Sequence, residues 1–129
     1  MKKYSYKKSR GESLSRKLGE EAQIQIALMK YIQLTYKHKL LAVHVPNDLT
    51  RSPAEGYVKK MMGMMPGFPD LIIFKKNGGF LLLELKTEIG KLSHTQKTTH
   101  NLLRQFGLKV RTTWGIDQAI KQIDLFANE

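Results

Sequence analysis

The chain has 129 residues, no cysteine, and 22 Lys and Arg against 11 Asp and Glu, a formal net charge of +11. That length fits one domain, and the missing thiols exclude disulfide staples, thiol catalysis and Cys-ligated zinc together. The longest apolar runs, Leu40–Val43 and Phe80–Leu83, fall far short of a bilayer span, so the expectation is a cytoplasmic protein without a membrane partner, its charge excess pointing to an anionic one such as nucleic acid.

Residues 1–19 read as a basic arm. Lys2, Lys3, Lys7, Lys8, Arg10, Arg16 and Lys17 are opposed there only by Glu12, with serines between them. Such a segment can lie along phosphates or serve simply as a solvated tail. Residues 20–129 then form the folded domain. From Glu20 to Lys37 the apolar residues Ile24, Leu28, Tyr31, Ile32 and Leu34 recur at helical spacing. Leu40 to Val45 reads as a strand stopped by Pro46, and Ser52-Pro53-Ala54-Glu55 as the start of a short helix ending near Gly63.

Asp70 to Phe74 and Phe80 to Lys86 read as buried strands joined through Asn77-Gly78-Gly79, a hairpin signal. Ser93-His94-Thr95-Gln96 has capping-box form and opens a helix expected to turn Thr99, Leu102, Leu103 and Phe106 inward before Gly107 ends it. Lys109 to Trp114 is a fourth strand, and a last helix carries Ile116, Ala119, Ile120 and Ile123 on one face. The order α-β-(short α)-β-β-α-β-α predicts an α/β fold, a small mixed sheet covered by helices on both faces. Met61, Met62, Met64 and Met65 are expected to fill the core beneath the Gly63–Gly67 loop, a dimer contact or groove wall being the alternative. Trp114 and Phe106 are also expected in the core.

The hairpin carries the chemistry. Glu84 and Lys86 stand two apart on one strand and so leave the same face, in a segment otherwise apolar on both sides. A carboxylate there is costly unless paired or holding a metal. With a three-residue loop, Lys76 faces Phe80, and Asp70 lies opposite Lys86 and diagonal to Glu84 on that face; a two-residue loop would put the two acids on opposite faces. Two carboxylates converging beside a lysine suit a hard cation, Mg²⁺ or Mn²⁺, able to polarise a phosphoryl oxygen and activate water. A neighbour pair at the strand's exposed end is the simpler alternative for Glu84 and Lys86.

The ordered set of short motifs is more specific than any one of them. Pro69-Asp70, thirteen residues, then Glu84-Leu85-Lys86 resembles the PD-(D/E)XK nuclease signature. Glu21-(x)3-Gln25, Pro46-Asn47, Gly63-(x)3-Gly67-(x)-Pro69-Asp70, and Gly90-Lys91-Leu92-Ser93 with Gln96 narrow the resemblance. Together they are similar to the VRR-NUC domain, the virus-type replication-repair nuclease, including its small stand-alone phage forms, from about Glu20 to Ile123. The resemblance implies a PD-(D/E)XK core and makes Asp70 and Glu84 metal-binding carboxylates, with the Leu85 carbonyl a further ligand. It makes Lys86 the catalytic lysine, Glu21 a support for the metal or its water, and Gln96 an organiser of the site. Where the family often has tyrosine four residues after this glutamine, the chain has His100, which is left outside the catalytic set.

The resemblance further implies a homodimeric, Mg²⁺- or Mn²⁺-dependent endonuclease acting on branched DNA such as Holliday junctions in replication, repair or recombination. A non-catalytic basic nucleic-acid-binding protein is the alternative. Arg51, Lys59, Lys91 and Ser93 are candidates for DNA contact, against plain surface lysines and, for Ser93, a helix cap. Glu20 competes with Glu21, since both sit in a helix's first turn. His44 and His94 read as packed or surface histidines.

Overall fold

A computed structural model describes residues 19–47 and 52–129. The basic arm, Gly19 excepted, and Arg51 lie outside the described residues. The elements follow the expected order: α1 (Glu20–Thr35), β1 (Leu40–His44), α2 (Pro53–Met61), β2 (Leu71–Lys75), β3 (Phe80–Lys86), α3 (His94–Gln105), β4 (Val110–Trp114) and α4 (Gly115–Ala127). The strands form one sheet in the order β1-β2-β3-β4. The first two pairings are antiparallel, and β4 joins β3 in parallel after the α3 crossover. This is the mixed α/β sheet of a PD-(D/E)XK-like fold.

Strand alternation builds the main core. Leu71, Ile73, Leu81, Leu83 and Leu85 point to one face, where Leu28 and Ile32 of α1 and Ala119, Ile123 and Phe126 of α4 cover them. Leu83 has no solvent exposure, and truncating it to alanine would cost about 2–5 kcal/mol through the cavity left behind. The C-terminal end of α1 is braced against α4, because the hydroxyls of Tyr31 and Tyr36 both donate to Oδ1 of Asp124 at 2.6 Å.

Helices lie on both faces, as expected, but the opposite face is covered only in part. There α3 and its flanks close over Ile72, Leu82 and Val110 with Leu103, Phe68 and Leu108. Toward the hairpin turn this cover runs out, and Leu41, Val43, Phe74 and Phe80 remain exposed. Leu41 pairs with Phe74 and Phe74 with Phe80, so three large apolar side chains stand in one cross-strand row.

Three expectations about single side chains fail. Leu34 is 86% exposed because α1 turns it away from the sheet. Phe106 is 76% exposed because it caps the end of α3 beyond the reach of the core, and Leu102 is partly exposed. Met61 and Met62 stand in solvent on α2, which has no buried residue, while Met64 and Met65 line a hollow with Phe68 and Ile72.

Candidate active site

The hairpin register differs by two residues from the expected one. Phe74, rather than Lys76, pairs with Phe80, and Leu71 pairs with Leu83. Lys75 to Gly79 make the turn, closed by the Lys75 N–H donating to the Gly79 carbonyl at 2.6 Å. An even shift preserves the face. It sets Asp70 level with Glu84 rather than with Lys86, so the two acids meet more directly than expected.

Their contact is reciprocal. The Asp70 backbone N–H donates to Oε2 of Glu84 at 3.2 Å, and the Leu85 N–H donates to Oδ2 of Asp70 at 2.8 Å. Each carboxylate thus occupies a peptide donor of the other strand where the β2–β3 ladder ends. Glu84 is 1% exposed. Burial, reinforced by the hydrogen bond and negative charge of Asp70, pushes its carboxyl up to about 9, with Lys86 opposing.

Three elements deliver the remaining groups. Lys86 follows two residues after Glu84 on β3, and its Nζ lies 3.4 Å from Oε1 of Glu21 in the first turn of α1. Among the described residues no three His, Asp or Glu side chains stand together as a metal-binding group, so Glu21 meets the lysine instead of completing a carboxylate triad. Gln96 is the third residue of the α3 capping box. Its Oε1 accepts from the Ser93 N–H at 2.9 Å while Ser93 Oγ accepts from the Gln96 N–H at 3.1 Å. The side-chain N–H of Gln96 then donates to Oε1 of Glu84. Cap and site role coexist because the two ends of one amide serve them separately.

The approach of α3 to the hairpin depends on Gly67. Its φ is +78°, and a Cβ there would lie 2.7 Å from the Thr95 carbonyl oxygen and 3.0 Å from Cα of Gln96. Only glycine combines that dihedral with that contact. Thr99 Oγ1 donates to the Pro66 carbonyl at 2.5 Å, fixing the same loop from the next turn of α3.

Two histidines join the site's surroundings. His100, on the α3 face that carries Gln96, is fully buried, and among the described residues neither ring nitrogen makes a well-formed hydrogen bond, the Gly67 backbone being its nearest polar company. Burial, aided by the Arg104 charge, holds its imidazole below the usual range, with Asp70 pulling the other way. Its four-residue spacing from Gln96 was the sequence signal. His44 Nδ1 lies 2.9 Å from Gln25 Nε2 and 3.2 Å from the Asp70 carbonyl, so Gln25 of the quoted motif reaches the strand end through it. That link joins residues 19 apart and had no local signal.

The candidate DNA contacts are less concentrated. Lys91 is exposed just ahead of α3, and Lys59 is half-buried on α2. Both polar groups of Ser93 named above are engaged in the cap.

This donor set fits a hard divalent cation. Two carboxylates converge, one sealed from solvent, and the adjacent ammonium already faces Glu21. A buried carboxyl whose ionisation is opposed by its surroundings and a neighbouring carboxylate is what a bound dication would stabilise in ionised form.

The VRR-NUC domain model matches residues 7–114, beginning within the stretch read as an arm. A solved VRR_NUC domain protein is similar at 22% identity and a TM-score of 0.65, with 84% of this chain and 88% of that one covered. A second, a VRR_NUC domain, is 20% identical with a TM-score of 0.59, covering 83% and 97%. No curated protein matches.

Proposed function

Because the chain belongs to the VRR-NUC family, a family of nuclease-type domains, we propose that it is a metal-dependent endonuclease that hydrolyses phosphodiesters in branched DNA. The observation that carries this reading is the convergence of Glu84 and Lys86 of β3, Glu21 of α1, Gln96 of α3 and Asp70 at the entry to β2 at one end of the β2–β3 hairpin.

Asp70 and Glu84 would hold Mg²⁺ or Mn²⁺, with the Leu85 carbonyl as a further oxygen ligand. When bound, such an ion polarises a phosphoryl oxygen and lowers the pKa of its water. The chain's own groups then have separate tasks. Lys86 holds the attacking water against the phosphate and offsets charge developing there. Glu21 fixes the lysine by its ion pair. Gln96 fixes the Glu84 carboxylate so that the other oxygen, Oε2, points toward Asp70. Lys91 and Lys59 would hold the phosphate backbone, Ser93 serving chiefly the cap.

A homodimer would place two such sites on one branched substrate. In its support, Tyr57, Val58, Met61 and Met62 form an exposed stripe along α2 that buries nothing in the monomer. A nine-residue helix gains little stability by itself, and an uncharged stripe is better matched to its own copy than to a polyanion.

The test is a panel of linear, nicked, flapped and four-way DNA with Mg²⁺ or Mn²⁺, run on protein of known oligomeric state. Wild type should cut branched DNA, and Asp70→Asn or Lys86→Met should lower the rate by about 10²–10³-fold, the range seen when one transition-state-stabilising group is lost. Equal cutting by Asp70→Asn overturns the site. Salt-sensitive binding with no cutting under either metal would identify a binding protein instead.

A further inference from the structure

The turn that follows Lys86 presents Ile89 to solvent at 90% exposure, higher than any other large apolar side chain among the described residues. Isolated exposed apolar residues are ordinary. This one differs in how rigidly it is held and where. The Gly90 N–H donates to the Thr87 carbonyl at 3.1 Å, closing the turn. The indole N–H of Trp114 donates to the Gly90 carbonyl at 2.8 Å, anchoring it to the end of β4. A Cβ on Gly90 would meet Thr87 Oγ1 at 3.0 Å and Lys86 Cβ at 3.4 Å, so the turn folds back onto the lysine itself. On the other side of Ile89, Glu88 lies against Gly115, where an added Cβ would meet its Cγ at 3.1 Å. A β-branched side chain, stiff at χ1, thus sits between two pinned neighbours beside the catalytic lysine.

The chemistry around the tip disfavours phosphate. Glu88 adjoins Ile89, and Glu20 and Glu88 both line the hollow beside it, whose space is about 610 Å³. The other walls include Ile24, Ala27 and Ile116, with no aromatic ring among the described lining residues. An anionic backbone is repelled there, whereas an uncharged base face or edge is accepted. Apolar side chains inserted at a base step unstack it and kink the duplex.

We propose that Ile89 is a wedge that enters the base stack beside the scissile phosphate, the displaced base being received by the hollow of Ile24, Ala27 and Ile116. The inference rests on the DNA-cleaving reading above. It gives the site a substrate preference: DNA whose stacking is already interrupted, as at a branch, avoids the cost of unstacking a continuous duplex.

The test uses the full chain with 2-aminopurine placed in turn at each position flanking the branch point of a four-way junction, bound in EDTA so that nothing is cut. Wild type should raise the fluorescence at one step by about threefold or more, because unstacking relieves quenching and the hollow supplies no ring to restore it. Ile89→Ala should abolish that rise and Ile89→Leu should keep it. With metal, Ile89→Ala should lower cutting about tenfold on a continuous duplex arm and less than about threefold beside a preformed bulge, where no stacking remains to be broken. No rise at any position in wild type, or the same rise in Ile89→Ala, overturns the wedge. The nuclease reading fails separately: wild type that cuts no DNA defeats it, and the fluorescence in EDTA still decides the role of Ile89.

Discussion

Gln96 donates its side-chain N–H to Oε1 of Glu84 while its own Oε1 accepts from the Ser93 backbone, so one amide closes the α3 cap and orients the buried carboxylate. The two tasks separate by substitution. Gln96→Glu keeps an acceptor for the cap but sets a second anion against Glu84; cutting should fall about 10–100-fold, as for groups that orient metal ligands, with the denaturation midpoint nearly unchanged near neutral pH. Gln96→Ala loses both roles, adding about 1 kcal/mol of destabilisation, the usual worth of a cap. Paired urea titrations and cleavage rates check this.

The raised Glu84 carboxyl makes metal-free stability fall with pH. The unfolded chain releases this proton near the ordinary value of 4.5, while the folded chain retains it to about 9. Stability linked to this group is therefore full below 4.5, declines between those values and levels above about 9. Urea midpoints measured in EDTA across that window should fall, and Glu84→Gln should flatten the profile. If Glu84 holds the metal, Mn²⁺ affinity measured by calorimetry should rise over the same interval, as the ion competes with one fewer proton.

Gly67→Ala should damage fold and site together. The methyl group would press on the Thr95 carbonyl at 2.7 Å in a backbone conformation with φ +78°. A strained dihedral of this kind costs about 1–3 kcal/mol before the clash is counted. Relief requires the start of α3 to retreat, which carries Gln96 away from Glu84. Thermal unfolding and cleavage should therefore both suffer, whereas Gly78→Ala, whose φ of +98° also costs stability but whose Cβ meets nothing within 4 Å, should leave cutting intact.

The α2 stripe makes a prediction about assembly. Met61→Lys with Met62→Lys removes two side chains that are 70% and 82% exposed in the monomer, so the unfolding free energy of the subunit, compared at concentrations where both proteins are monomeric, should stay within about 0.5 kcal/mol. If the stripe is the dimer contact, sedimentation velocity should show wild-type dimer and variant monomer at equal concentration. Paired nicking of a four-way junction should give way to single nicks.

Legibility in the sequence followed the range of the interactions. The capping box Ser93–Gln96, the caps around Pro53 and the bounds of β3 rest on contacts within a few residues, and local pattern placed them well. Parity along the strands put Asp70, Glu84 and Lys86 on one face whatever even shift the hairpin took. The register itself depended on a five-residue turn that the Asn77-Gly78-Gly79 signal does not specify. Leu34, Phe106, Met61 and Met62 depart from the expected burial because hydrophobicity marks what can be buried, and only the packing of whole elements decides what is. The Glu21–Lys86 pair and the His44–Asp70 link join distant segments, and residue spacing gives no sign of either partner.

The crossed bonds between Asp70 and Glu84 bear on how an inactive control should be made. Alanine at either position removes an acceptor as well as a charge, leaving the Leu85 or Asp70 peptide N–H without its partner. A buried donor so orphaned costs about 1–3 kcal/mol. Loss of activity in an alanine variant would therefore mix a frayed hairpin with missing chemistry. Asparagine at 70 and glutamine at 84 keep an oxygen in place, and with them the alignment of the two strands.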